Sequence, residues 1–174
     1  MNILKQNFPV KTALALGSNA PGSLAIFQTA CNMLADKGFC IEQLANVIIT
    51  QPVDCPPGTP DFFNSALTGT FAGSAEELLE ITQSIEQILG RPADHGFHLP
   101  RPLDIDIIIF GNKIMKTPRL TLPHPRAQER LFVLEPLNEI APDWIFPDSQ
   151  RSVAEVYLSL KKSGYSASQL PSDR

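Results

Sequence analysis

An α+β fold on a single antiparallel sheet is the class this sequence predicts, and three observations lead to it. Apolar runs of strand length alternate with two segments of helical period, in the order β-α-β-β-α-β. The chain has 174 residues, 43% of them hydrophobic and 18% charged, enough to bury one core. Its 16 prolines against 10 glycines follow no Gly-X-Y period and no Pro/Ser tract, so proline punctuates an ordered chain and belongs mostly in loops.

The first strand is read at Thr12-Ala-Leu-Ala-Leu16, stopped by Gly17-Ser18-Asn19. Ser23 then caps a helix with apolar positions at Leu24, Phe27, Cys31 and Leu34, and Gly38 ends it in the left-handed conformation that closes many helices. Residues 39–50 carry a second strand, placed at 45–50, and four prolines stiffen the loop over 51–61. Residues 64–71 form a strand that pairs as a hairpin partner across that loop. Ser74-Ala-Glu-Glu77 is a capping box, so a second helix runs from there to Leu89 with Gly90 as its stop. Residues 103–110 read as a strand, turned by Gly111-Asn112 towards 113–115. Beyond it come a short helical or turn segment near Ala127, a strand-like stretch at 131–134, a loop, and a last helix from Ser152 to about Leu160. This order is ferredoxin-like, with two helices on one face of the sheet and C-terminal additions. No repeat or linker divides it, so residues 1–162 are expected to form one domain and the polar stretch 163–174 a flexible tail.

No apolar run approaches the roughly 18 residues of a membrane span, and the first ten residues lack the apolar stretch and cleavage site of a signal peptide. A cytoplasmic protein away from membranes is expected. Cys31, Cys40 and Cys55 are odd in number and lack Cys-x-x-Cys spacing, which argues against a disulfide scaffold or a zinc site; Cys31 and Cys40 are expected in the core. A net charge of −4 leaves no broad basic surface for nucleic acid, so an anionic ligand has to meet a local cluster of cations.

Leu103-Asp-Ile-Asp-Ile-Ile-Ile-Phe110 carries the sharpest chemistry. Period-two alternation brings Asp104 and Asp106 out on one face, about 6 to 7 Å apart at Cα, at the mouth of a buried strand. Two carboxylates there suit Mg²⁺, which takes hard oxygen ligands and fills its other positions with water and substrate phosphates. The plainer reading is a strand end paired with arginines. Arg91, Arg101, Arg119, His124, Arg126 and Arg130 crowd the same stretches of an acidic chain, as a polyphosphate with its metals requires, although each alone reads as a solvated charge. No glycine loop ending in Gly-Lys-Ser/Thr and no dinucleotide fingerprint is present, so metal and arginine would have to hold the phosphates. The phenylalanines of Asp61-Phe-Phe-Asn64 and of Arg130-Leu-Phe132 offer ring faces to a flat heterocycle and Asn64 a donor and an acceptor to its edge; the alternative is that the rings are core.

Taken in order, Leu14-Ala-Leu-Gly-Ser-Asn19, Pro60-Asp-Phe-Phe-Asn64, Glu77-Leu-Leu with Gln83 and Glu86, Gly90-Arg91, Pro100-Arg-Pro-Leu-Asp-Ile-Asp106, Arg119-Leu-Thr-Leu-Pro-His124, Arg130-Leu-Phe132 and Pro136-Leu-Asn-Glu-Ile-Ala-Pro142 form a specific set. Over about residues 12–150 the chain resembles the 6-hydroxymethyl-7,8-dihydropterin pyrophosphokinases. The resemblance implies transfer of pyrophosphate from ATP to the pterin hydroxymethyl group with release of AMP, in folate biosynthesis. It implies two Mg²⁺ ions on Asp104 and Asp106, and a pterin site at Gln51, Pro52, Phe62, Asn64 and Phe132 with the two rings stacking on the bicycle. An ATP site follows at Gln83, Glu86, Arg91, His98, Arg101, Ile107, Arg119, Thr121, His124 and Arg130. Arg91 and Arg101, with the two aspartates, are the implied catalytic residues. A monomer is expected, in possible contact with other folate-pathway enzymes.

The chain departs from the family pattern mainly between Arg91 and Arg101. Ala93, His98 and Leu99 stand where a basic residue, a tryptophan and a glycine are common in a closing loop, and Pro125 stands where an aromatic often follows the histidine. Gln51, Val53 and Asp54 also differ from the commoner composition, while Pro52 is retained. His98 either replaces the tryptophan by stacking or is a solvated loop histidine. The competing functions are a pterin- or nucleotide-binding module with lost turnover, and a metal-dependent nucleotidyltransferase that releases pyrophosphate.

Overall fold

Alternation along the strands sorts their side chains into two unlike faces, and that division organises the molecule. The structure, a computed structural model, describes residues 8–52, 58–90 and 102–163. In chain order it contains β1 (Val10–Ser18), α1 (Ser23–Asp36), β2 (Phe39–Leu44), β3 (Ile48–Thr50), β4 (Phe62–Phe71), α2 (Ala75–Ile88), β5 (Asp104–Phe110), β6 (Met115–Lys116), β7 (Thr121–Leu122), a 3₁₀ turn (Ala127–Glu129), α3 (Leu131–Ile140), β8 (Ile145–Phe146), β9 (Arg151–Ser152) and α4 (Val153–Lys162). β1 is central, antiparallel to β4 on one side and β5 on the other, while β2 and β3 both pair with β4. The expected α+β, ferredoxin-like order is the one observed. None of the described helices is long and apolar enough to cross a membrane.

The first face is large and apolar. Leu14, Leu16, Leu67, Phe71, Ile105, Ile107 and Phe110 pack against Phe27, Leu34, Leu78 and Ile85 of α1 and α2. The second face is small: Ala13, Ala15 and Ala66 let α3 and α4 close down with Val133, Leu134, Leu137, Val153 and Val156. Between them β5 carries a bulge, since Ala13 faces Ile109 and Leu14 faces Ile107. Ile108 is the extra residue, so both Ile108 and Ile109 point to the second face and the whole Ile-rich run is buried.

Helix ends follow local chemistry where it is strong. Ser74 and Glu77 close the expected capping box of α2, and Ser152 with Glu155 closes another on α4. Hydrogen bonds from the Ser152 backbone and then its hydroxyl hold the Glu155 carboxyl below its ordinary range. Gly90, with φ of 101°, follows α2 in the left-handed region.

Several expectations are corrected. Ser23 is the first residue of α1 and does not cap it; its hydroxyl bonds the Ala20 carbonyl at 2.6 Å and the Ser18 hydroxyl at 2.8 Å, closing the turn after β1. β1 runs on through Gly17 and Ser18. Leu24 is exposed, as is Cys40, whereas Cys31 is buried as expected and burial raises its thiol pKa. The second strand is two pieces, 39–44 and 48–50, with Ala45 bonded to Ala66 between them. The stretch 131–134 is helical: a four-residue apolar run has no readable period, and Pro136 lies inside the helix and does not end it. Of the expected tail at 163–174, Ser163 follows α4 as its C-cap, and residues 164–174 lie outside the described residues.

Candidate active site

The sheet's second face loses its helical cover where β1 ends and β4 and β5 begin, and the candidate residues gather there. Gly17 faces Asn64 on one side and Asp104 on the other, so the three form a row across the sheet. The next row is Ala66, Ala15, Asp106. Both aspartates are half-buried with buried Ile105 between them, the alternation expected of a strand. Asn64 and Asp104 are two strand spacings apart, about 10 Å at Cα.

Asn64 is buried, and its amide Nδ2 donates to the Thr50 hydroxyl at 3.0 Å. That bond orients the amide. Thr50 is diagonal to Asn64 across β3 and β4, a contact that sequence reading missed because an eleven-residue loop at 51–61 leaves the hairpin register open. Phe62 and Phe132 are half-buried, neither fully core nor free. Arg130 is buried, its guanidinium 5.6 Å from the Phe132 ring centroid, so it braces the ring. Pro52 is half-buried and Gln51 exposed.

Along the outer edge of β5 lies a cleft of about 280 Å³, lined by Leu79, Ile105, Asp106, Ile107, residues 117–121, His124 and Pro125. It takes in four of the sequence-derived nucleotide positions, Ile107, Arg119, Thr121 and His124, and reaches one of the paired aspartates. Leu79 and Leu120 are lining residues that the sequence did not single out; an apolar residue carries no mark of facing a cleft rather than the core. Arg119 is exposed at the rim, 3.4 Å from Glu80. The backbone N–H of His124 donates to the Ile108 carbonyl, seating the segment on the strand edge. Nδ1 of His124 accepts from the Arg126 backbone at 3.3 Å, so the neutral ring carries its proton on Nε2, 4.0 Å from Oδ2 of Asp106.

Glu86 and Gln83 sit apart from the cleft wall. Glu86 is buried, and its Oε1 accepts from the backbone N–H of Ile105 at 2.7 Å, fixing the strand between the two aspartates. Gln83 is exposed on α2. Arg91, His98 and Arg101, with Ala93 and Leu99, lie outside the described residues.

Among the described residues no cluster of three or more His, Cys, Asp or Glu side chains is arranged to hold a metal. The donor set of Asp104 and Asp106 nonetheless fits Mg²⁺, which binds through one or two carboxylates and completes its shell with water and substrate oxygens.

Comparison with known proteins follows this geometry. Residues 13–142 match the family 7,8-dihydro-6-hydroxymethylpterin-pyrophosphokinase (HPPK). The chain is 42% identical over 100 residues to a 2-amino-4-hydroxy-6-hydroxymethyldihydropteridine pyrophosphokinase of Synechocystis, covering 58% of this chain and 51% of that protein. It is 36% identical over 128 residues to the Bacillus subtilis protein of the same name, covering 73% of this chain and 75% of the relative. A folate synthesis bifunctional protein of Arabidopsis thaliana is 33% identical over 130 residues, covering 75% of this chain and 27% of that protein. The matched segment thus spans about half or less of two of these relatives. Among solved structures, wild-type Plasmodium falciparum HPPK-DHPS superposes with a TM-score of 0.69 at 14% identity, over 92% of this chain and 47% of that one, a likeness of fold.

Proposed function

The chain belongs to the 7,8-dihydro-6-hydroxymethylpterin-pyrophosphokinase family, and from that premise we propose that it transfers the terminal pyrophosphate of ATP to the hydroxymethyl group of 6-hydroxymethyl-7,8-dihydropterin, releasing AMP. The observation that carries this reading is the row Asn64, Gly17, Asp104, with Asp106 reaching from the next row into the cleft. A heterocycle read by Asn64 and a polyphosphate lying along β5 would meet at the aspartates.

Each side chain then has a task. Phe62 and Phe132 stack on the bicycle, with Gln51 and Pro52 closing its edge. The Asn64 amide, oriented by Thr50, hydrogen-bonds the heterocycle. Asp104 and Asp106 hold the metal, two Mg²⁺ ions in our reading. When bound, Mg²⁺ neutralises the triphosphate and polarises its oxygens. Arg91 and Arg101 pair with the transferring phosphates, Arg119 and Arg130 supply further positive charge, and Nε2–H of His124 donates to a phosphate oxygen. Ile107 and Thr121 line the nucleotide; Gln83, Glu86 and His98 complete that side, Glu86 by holding β5. The pterin hydroxyl attacks the β-phosphorus in line, the new O–P bond forms as the bond to the α-phosphate oxygen breaks, and AMP departs while the hydroxyl proton passes to solvent.

Phosphorus NMR of ATP, Mg²⁺ and the pterin incubated with the protein tests this directly. AMP and the pterin pyrophosphate should accumulate together; ADP, free pyrophosphate, or binding of both ligands without turnover would overturn it. We further propose that residues 1–162 are one catalytic domain with a 163–174 tail, acting as a cytoplasmic monomer beside other folate-pathway enzymes. Sedimentation of the whole chain at micromolar concentration should give a single monomer boundary.

A further inference from the structure

Gly17 stands in the middle of that row, and nothing among the described residues accounts for its missing side chain. The other described glycines each have a reason. Gly22, Gly38, Gly58, Gly90 and Gly111 have positive φ, where a side chain is strained. At Gly69 a Cβ would fall on the Cys40 carbonyl oxygen, and at Gly73 a Cβ would lie 2.5 Å from the Phe71 ring. Gly17 has ordinary strand geometry, and a Cβ built on it would lie 3.7 Å from Oδ1 of Asn64 and 4.0 Å from Cβ of Asp104. Those are normal van der Waals distances. The fold would accept alanine, which is what β1 places at positions 13 and 15 on the same face, where α3 and α4 cover the sheet.

Glycine within a strand forgoes packing and adds freedom to the unfolded chain, so an unforced one marks a place where something else approaches the backbone. We propose that Gly17 is a positioning and specificity-determining residue. It keeps the sheet floor bare between the amide that reads the heterocycle and the carboxylate that holds the metal, so that the arm joining the pterin ring to its reacting hydroxyl lies directly on the β1 backbone. A methyl group there fills the space of the arm without disturbing either neighbour. The inference rests on the proposed transfer to the pterin and adds to it the surface on which the acceptor lies.

The test is Gly17→Ala, compared with the unaltered chain in three measurements. The melting temperature should be unchanged or raised, since the methyl finds ordinary contacts. Calorimetric affinity for Mg²⁺-ATP should stay at the unaltered level, while kcat/KM for the hydroxymethyl pterin falls about 30-fold or more, the range that one methyl group commands in a fitted pocket. Pterin affinity measured without ATP should fall with it. Transfer and pterin affinity at the unaltered level would overturn the proposal. So would equal losses for ATP and pterin, or a lowered melting temperature, because each would make Gly17 a structural residue. Should the unaltered chain bind pterin but make no AMP, the catalytic reading fails on its own, and the ratio of pterin affinities still decides the role of Gly17.

Discussion

The two faces of the sheet are made by the same strands and do opposite work. On the first, Leu14, Leu16, Leu67, Phe71 and Ile105 pack against α1 and α2 in one apolar cluster. On the second, the same strands present Ala13, Ala15 and Ala66 and then Gly17, Asn64, Asp104 and Asp106. Size decreases along β1 from alanine under the helices to glycine beyond them. One strand thus serves as core on one side and, on the other, as core under α3 and α4 and as a site floor beyond them, because alternation decouples the two faces. Stability should therefore respond to the packed stretches of both faces and transfer to the bare end of the second.

The sharpest break of that division is Asp104→Ala or Asp106→Ala. Pyrophosphate transfer should fall by about 10³-fold, the scale of losing a group that stabilises transferring charge. Melting should barely change, since both side chains are half-buried. A quenched-flow assay with a parallel melt checks both halves, and a large drop in melting would erase the distinction. Leu67→Ala, on the opposite face of the strand that bears Asn64, should reverse the pattern. Leu67 is fully buried, so its loss should cost about 2 to 5 kcal/mol in urea unfolding while leaving the kcat of folded protein intact.

A smaller effect is expected at Thr50→Val, which removes the hydroxyl that orients Asn64. One lost hydrogen bond of about 0.5 to 1.5 kcal/mol corresponds to a severalfold rise in the KM for pterin, with kcat and the KM for ATP little affected. Steady-state kinetics separates these. Smallest is the effect at the α4 cap, which contributes no residue to the candidate site. Because folding lowers the Glu155 pKa, its contribution is present above the ordinary glutamate value and is lost as pH falls through the lowered one. Glu155→Gln should therefore destabilise at neutral pH and become neutral in acid, without changing transfer at neutral pH.

How legible these features were depended on their range. The Asp104 and Asp106 alternation and the Ser74 capping box are local, and both appear in the structure as read. The stretch 131–134 reads as a strand because four apolar residues are too short a run to show a period, whereas Val133, Leu134 and Leu137 pack as one helical stripe against the alanine face. Ser23 resembles a cap by type but spends its hydroxyl on the preceding turn. The resemblance implies that Glu86 contacts or positions ATP, and its buried oxygen holds the backbone of Ile105, a contact that no local pattern shows.

By itself, then, the sequence determined the β-α-β-β-α-β order of the core, the shared face of the two aspartates and, through its motifs, the family. Those follow from period-two and capping patterns carried by adjacent residues, and from short strings that survive intact. Only the tertiary structure decided that Asn64, Gly17 and Asp104 stand in one row and that Thr50 turns the amide. Strand register joins segments dozens of residues apart and is selected by packing over the whole sheet, which no local pattern encodes.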